Sequence, residues 1–255
     1  MAREYTALLA ELADELAVRS PQSAALDRTA RESLVDGGSH TIRLMEPFAP
    51  RIVAASGGHV TDEDGHQILD LWQGHLANIL GHNPPVVTLE LRNSFDGGFG
   101  LQNGMVDRLQ GEVAEILCRQ TGSDQVRLTT SGTLANMYAV ILSCAATGRS
   151  RVMKVGGGWH GGHPWGLKGS FYRQENRLGF AGVDSDGLSP AITDDVVVTG
   201  FNDPNRLEED FNHFGDSLAC FVVEPLIGAG GLIPATREYL ELARKLTRSC
   251  GALLV

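Results

Sequence analysis

With 31 acidic against 21 basic side chains among 255 residues, a net charge of −10, the chain has the wrong electrostatics for a general nucleic-acid binder, whose phosphate contacts need clustered Lys and Arg. Its hydrophobic share of 42% and charged share of 20% are ordinary for a globular protein, and no run approaches the ~18 apolar residues of a membrane span. Cys118, Cys144, Cys220 and Cys250 stand far apart with no CxxC, as free thiols in a reducing, cytoplasmic setting would, so neither disulfides nor a metal site is expected.

Residues 1–20 carry Glu4, Glu11, Asp14 and Glu15 and read as an amphipathic helix rather than a secretory signal. Leu8, Leu9, Leu12 and Leu16 share one side, and Ser20-Pro21 breaks the pattern. Beyond the turn Asp36-Gly37-Gly38, an irregular segment holds Arg43, whose planar guanidinium suits a carboxylate ligand or a structural ion pair. Residues 53–71 read as a hairpin turned at Asp62-Glu63-Asp64-Gly65, a solvated turn that lacks the remaining ligand positions of a calcium loop. A loop at Gly81-His82-Asn83-Pro84-Pro85 precedes a helix start at residues 86–91. The composition shift at Asp96-Gly97-Gly98-Phe99-Gly100 places an N-terminal arm and part of a small domain in 1–95, and a large domain in 96–255.

Val106, Leu109, Val113, Ile116 and Leu117 then fall at helical spacing over residues 106–119. Strands are expected at 126–130, 151–155, 169–173, 196–199, 218–223 and 252–255, and helices at 134–146, 207–214 and 237–250. That alternation predicts an α/β fold with a mainly parallel sheet flanked by helices.

Chemistry concentrates in the turns. Ser131-Gly132-Thr133 offers two hydroxyls, a glycine for close approach and the positive end of a helix, which suits a phosphate; plain N-capping explains the same residues. Gly156, Gly158 and Gly161 satisfy G-x-G-x-x-G with Glu175 nineteen positions after Gly156, a dinucleotide-binding spacing. The following His160-Gly161-Gly162-His163-Pro164-Trp165-Gly166 cannot supply the helix that this fingerprint needs, which counts against an NAD-dependent dehydrogenase. Trp159 could stack on a heteroaromatic ring, or be a core residue. Glu224 ends an apolar run before Pro225, so its carboxylate is expected at the C-terminal edge of the sheet, where ligands bind in open α/β folds.

Collected in order, Asp62-Glu63-Asp64-Gly65 with Ile68-Leu69-Asp70, Gly81-His82-Asn83-Pro84, Ser131-Gly132-Thr133-Leu134-Ala135-Asn136, Trp159-His160-Gly161, Val223-Glu224-Pro225 and Cys250-Gly251-Ala252-Leu253-Leu254-Val255 resemble the class III, fold-type I, pyridoxal-phosphate aminotransferases, especially the glutamate-1-semialdehyde aminomutase group. The resemblance implies pyridoxal 5′-phosphate, with Ser131, Gly132 and Thr133 at its phosphate, Trp159 in place of the usual Tyr or Phe over the ring with His160 beside it, and Glu224 as the acid beneath. It also puts Arg43 at a substrate carboxylate, and implies a small-molecule amino donor and acceptor, no nucleic-acid or membrane partner, and a homodimer for the full-length protein. Ala229 departs from the Asn that aminomutases carry after Glu-Pro. In the family the C-terminal Gly-Ala-Leu-Leu-Val is followed by an Asp for the pyridine nitrogen and, much later, by the Schiff-base lysine. Of the three lysines, Lys154, Lys168 and Lys245, none sits in that motif. The chain is therefore expected to be an N-terminal portion, inactive by itself; a non-catalytic phosphate-ligand binding module is the alternative.

Overall fold

A computed structural model describes residues 5–100, 104–174 and 179–255 of the chain. They form two compact units, residues 1–106 and 107–255. In the first, helices Thr6–Arg19 and Pro21–Arg31 meet where Pro21 takes the first helical position, as the sequence break requires. A three-stranded antiparallel sheet follows: β1 (Ile52–Ser56), β2 (His59–Asp62) and β3 (Gln67–Leu69). The expected hairpin is its β2–β3 half. The Asp62 carboxylate accepts from the Asp64 and His66 amides and contacts the His66 ring at 2.9 Å, while the Asp64 carboxylate accepts from the Gln22 and Ser23 amides, so the acidic turn shapes itself and caps the second helix. Helix Pro85–Asp96 closes the unit.

The second unit is a three-layer α/β/α sandwich. Its parallel sheet contains β4 (Arg151–Val155), β5 (Val196–Thr199), β6 (Leu218–Val222) and, beyond the short antiparallel pair β7 (Leu226–Ile227) and β8 (Ile233–Pro234), β9 (Leu253–Leu254). The order is β5-β4-β6-β9. Every residue of β6 is buried, as expected of a strand covered on both faces. One face of the sheet packs Val152, Cys220 and Val222 against Val140 of helix Gly132–Thr147. The other packs Met153, Val155 and Phe221 against Leu207 and Phe211 of helix Pro204–Phe214 and Tyr239 and Ala243 of helix Arg237–Cys250. Side chains alternate between faces along a strand, so Lys154 shares the Val152 face.

Helix ends follow their caps. Asp107, Ser131 and Thr236 accept from the amides of Gln110, Leu134 and Tyr239, and Gly122, Gly148 and Gly251 end those helices with positive φ. The capping oxygen of Asp107 moves the expected 106–119 helix to Arg108–Thr121. Two expected strands are absent among the described residues. Residues 126–130 join no strand, since both sides of β4 and β6 are already taken and neither open edge receives them. Residues 169–173 turn because Gly169 has φ +71, and there a Cβ would lie 2.6 Å from the Phe180 carbonyl. Only isolated bridges, Lys168 to Val183 and Arg173 to Gly179, remain. No helix among the described residues is long and apolar enough to cross a membrane.

The Phe221 ring is fully buried and sits edge-on to Phe211 at 5.9 Å. Phe221→Ala is expected to cost about 3–5 kcal/mol by cavity formation. Leu142→Ala, at a position 67% exposed, should change stability by less than about 0.5 kcal/mol. Urea unfolding of both variants checks the contrast.

Candidate functional site

Three chain reversals converge at one edge of the parallel sheet. In the first, Ser131 caps helix Gly132–Thr147, its Oγ accepting from the Leu134 amide at 3.2 Å and its carbonyl from the Ala135 amide at 3.0 Å. The Gly132 and Thr133 amides belong to the first turn and have no partner within the helix. A Cβ on Gly132 would meet nothing within 4 Å, so the helix end faces open space. Its free donors and the helix dipole make it attractive to an anion.

The second reversal follows β4. The Gly156 amide donates to Thr199 O at 3.0 Å and the Gly157 amide to Gly169 O at 2.8 Å, which folds residues 156–170 back over the strand ends as turns. No helix follows the glycines, as their sequence context indicates, and Glu175 of the dinucleotide spacing lies outside the described residues. Gly161 has φ +106, and a Cβ there would stand 2.6 Å from both Cα and Oγ1 of Thr133. Only glycine allows the Trp159-His160 loop to lie against the helix N-terminus this closely.

The third reversal leaves β6. Glu224 holds two loops at once: Oε1 accepts from the Trp159 amide at 2.9 Å and Oε2 from the Gly228 amide at 3.0 Å. Trp159 remains 44% exposed. Its indole lies 6.1 Å from the Phe171 ring, with a plane angle of 42°. The structure thus brings together Ser131, Gly132, Thr133, Trp159, His160 and Glu224. Arg43 belongs to the first unit, where its guanidinium lies 3.4 Å from Nδ1 of His75, whose ring also packs on His40 and Trp72.

Sequence reasoning passed over what lies beneath the loop. Lys154 is only 1% exposed. Its Nζ donates to Gly166 O at 2.7 Å and Ser170 Oγ at 3.3 Å. Burial pushes its pKa down to about 8, with Asp184 and Glu224 pulling the other way. A lysine inside the apolar run Arg151-Val152-Met153-Lys154-Val155 was the available signal, since a buried charge demands partners. His160 is buried, and burial, followed by the Lys154 charge and His163, lowers its pKa to about 3. The folded protein therefore keeps His160 neutral while the unfolded chain, titrating near 6.5, binds a proton first. Stability must fall as pH drops below about 6.5.

Two testable expectations result. Between pH 7 and pH 4.5 the wild type should lose about 2–3 kcal/mol more unfolding free energy than His160→Asn, read from urea titrations at both pH values. Gly161→Ala should lower stability by about 1–3 kcal/mol, read the same way, because it meets both a positive φ and the Thr133 backbone.

Against known proteins, a family model described as aminotransferase class-III matches residues 43–255. The glutamate-1-semialdehyde 2,1-aminomutase of Thermoplasma volcanium is 30% identical over 220 residues, covering 86% of this chain and 51% of that protein. An omega-transaminase structure from Sphaerobacter thermophilus superposes with a TM-score of 0.86 at 30% identity, covering 93% of this chain and 55% of that one. A transaminase solved with PLP bound gives 0.85 at 29% identity, over 92% and 54%. The chain spans about half the length of the curated relatives it matches.

Proposed function

This chain belongs to the class-III aminotransferase family, and from that premise we propose that it holds pyridoxal 5′-phosphate and serves amino-group transfer on a small amino or amino-carbonyl substrate, as an aminotransferase or aminomutase. The observation that carries the reading is the packing of Gly161 on Thr133, which lays the Trp159-His160 loop across the open end of a helix. The residues present fit the cofactor. The Gly132 and Thr133 amides, with the Ser131 and Thr133 hydroxyls, suit a phosphate dianion. Trp159 presents a half-bare aromatic face to a flat ring. When bound, the cofactor supplies an electron sink for a carbanion at the amino carbon.

The chain's own part is binding and orientation. Glu224 fixes the Trp159 amide and so the backbone that carries the indole, and His160 stays neutral in the same loop. By family likeness alone, Arg43, which lies next to His75 in the first unit, is assigned to a substrate carboxylate. The lysine that anchors the cofactor is assigned outside these 255 residues. Lys154 is tied to Gly166 and Ser170, Lys168 donates to the Thr193 and Val196 carbonyls, and Lys245 is exposed on helix Arg237–Cys250. The 255 residues are accordingly a cofactor-holding part without turnover of their own. The working enzyme is a cytoplasmic homodimer; four free cysteines support the reducing compartment, and the dimer rests on family likeness.

Titrating the chain with pyridoxal 5′-phosphate tests this by equilibrium dialysis. Saturable binding is expected, weakened roughly tenfold or more by Thr133→Val or Trp159→Ala. Absence of binding by the wild type overturns the reading, and a borohydride-fixed adduct on Lys154, Lys168 or Lys245 overturns the lysine assignment. Equal affinity for any small phosphate ester would favour a non-catalytic phosphate-binding module.

A further inference from the structure

Beneath the Trp159 loop, Lys154, His160 and His163 line one small cavity together with Asn136, Val140, Val152, Trp165 and Val222. Nδ1 of His163 and Nε2 of His160 are buried with no hydrogen-bond partner among the described residues. Nε2 of His163 lies 3.1 Å from His160 O. A carbonyl only accepts, so Nε2 carries the proton and Nδ1 is a bare acceptor. The ammonium of Lys154 has three protons, of which Gly166 O and Ser170 Oγ take two. One remaining donor and a bare acceptor, in a cavity that His160 also lines, suit one water molecule. A buried polar group left unsatisfied is destabilising, and such a molecule relieves that cost.

We propose that Lys154 is a positioning residue for the Trp159 loop, acting through a buried polar centre that it forms with His160 and His163 around one trapped water molecule. The centre links strand to loop at several points. Lys154 stands on the central strand β4, flanked by β5 and β6. Its acceptors lie at Gly166 and Ser170, and Ser170 Oγ in turn donates to Gly166 O at 2.8 Å. The His163 amide donates to Gly161 O and the Gly166 amide to His163 O, so the carbonyl that Lys154 grips is bonded through to Gly161, the residue seated on Thr133. Farther along, the Ser170 amide is held by Asp184, whose carboxylate also takes Arg173. Lys154 thereby holds the loop that carries Trp159 in place against the helix end without touching a ligand. The inference rests on the cofactor-holding reading only for its effect on affinity.

Hydrogen exchange and cofactor titration of Lys154→Met and Ser170→Ala provide the test, together with a crystal structure of the wild type fine enough to show ordered solvent. Lys154→Met should raise amide exchange across residues 157–167 by roughly tenfold or more and weaken pyridoxal-phosphate binding by a similar factor, while amides of β6 and helix Arg237–Cys250 keep their protection. Ser170→Ala, which keeps the charge and removes one acceptor, should move the same amides in the same direction by less, and serves if Lys154→Met fails to fold. Unchanged exchange in residues 157–167, or a uniform rise through the sheet, would show that Lys154 only stabilises the fold. An empty cavity in the crystal structure overturns the water-centred arrangement. If the wild type binds no cofactor, the functional reading falls, and the exchange pattern still decides this one.

Discussion

The carboxylate of Glu224 joins two loops that have no covalent reason to be near one another. It stands just past β6, whose five residues are all buried, so its position is set by the most rigid part of the sheet. One oxygen takes the Trp159 amide and the other the Gly228 amide. Charge-assisted bonds of this kind are roughly twice as strong as neutral ones, and here they fix backbone rather than side chain. The aromatic face, the glycine packed on Thr133 and the open helix end keep their relative positions because that carboxylate sits where β6 puts it.

Around that anchor the site divides into an upper, solvent-facing layer and a lower, buried one. Ser131, Gly132 and half-exposed Trp159 face outward and offer amides, hydroxyls and a ring to a ligand. Lys154, His160 and His163 lie below, each at most 6% exposed, and cannot reach solvent. Burial works against charge on all three, and the shifts of Lys154 and His160 express that cost. The lower layer is retained despite it because hydrogen bonds from Lys154 and His163 run into the segment that carries the ring.

Much of this was legible in the residues. The turn chemistry of Ser131 to Thr133, the glycines after β4 and the Glu-Pro step after β6 each mark a reversal, and periodicity located all three flanking helices. Side-chain polarity alone could not reveal pairing. Residues 126–130 have strand composition, yet a strand requires a neighbour, and among the described residues β5 and β6 have taken both sides of β4. Residues 169–173 likewise look extended until the left-handed Gly169 is placed against Phe180. Lys154 lies in an expected strand and in no lysine motif, so its sequence context gives it no role. Its partners lie 12 and 16 residues away in a glycine-rich turn, where no periodic pattern points.

The order β5-β4-β6-β9 also governs how the chain is assembled in time. β4 is the first strand of its sheet to be synthesised, yet both its ladders are parallel and await β5 and β6, encoded well downstream. Arg149, just ahead of β4, has the same dependence: its guanidinium gathers carbonyls of Gly215, Leu218 and Cys250. Parallel ladders of this span close loops late, so a nascent chain carries the apolar Val152, Met153 and Val155 unpaired while the intervening turns are made. The glycine- and histidine-rich segment that follows is a poor strand and a poor helix former. It thus offers the exposed strand no competing ladder close by in the chain.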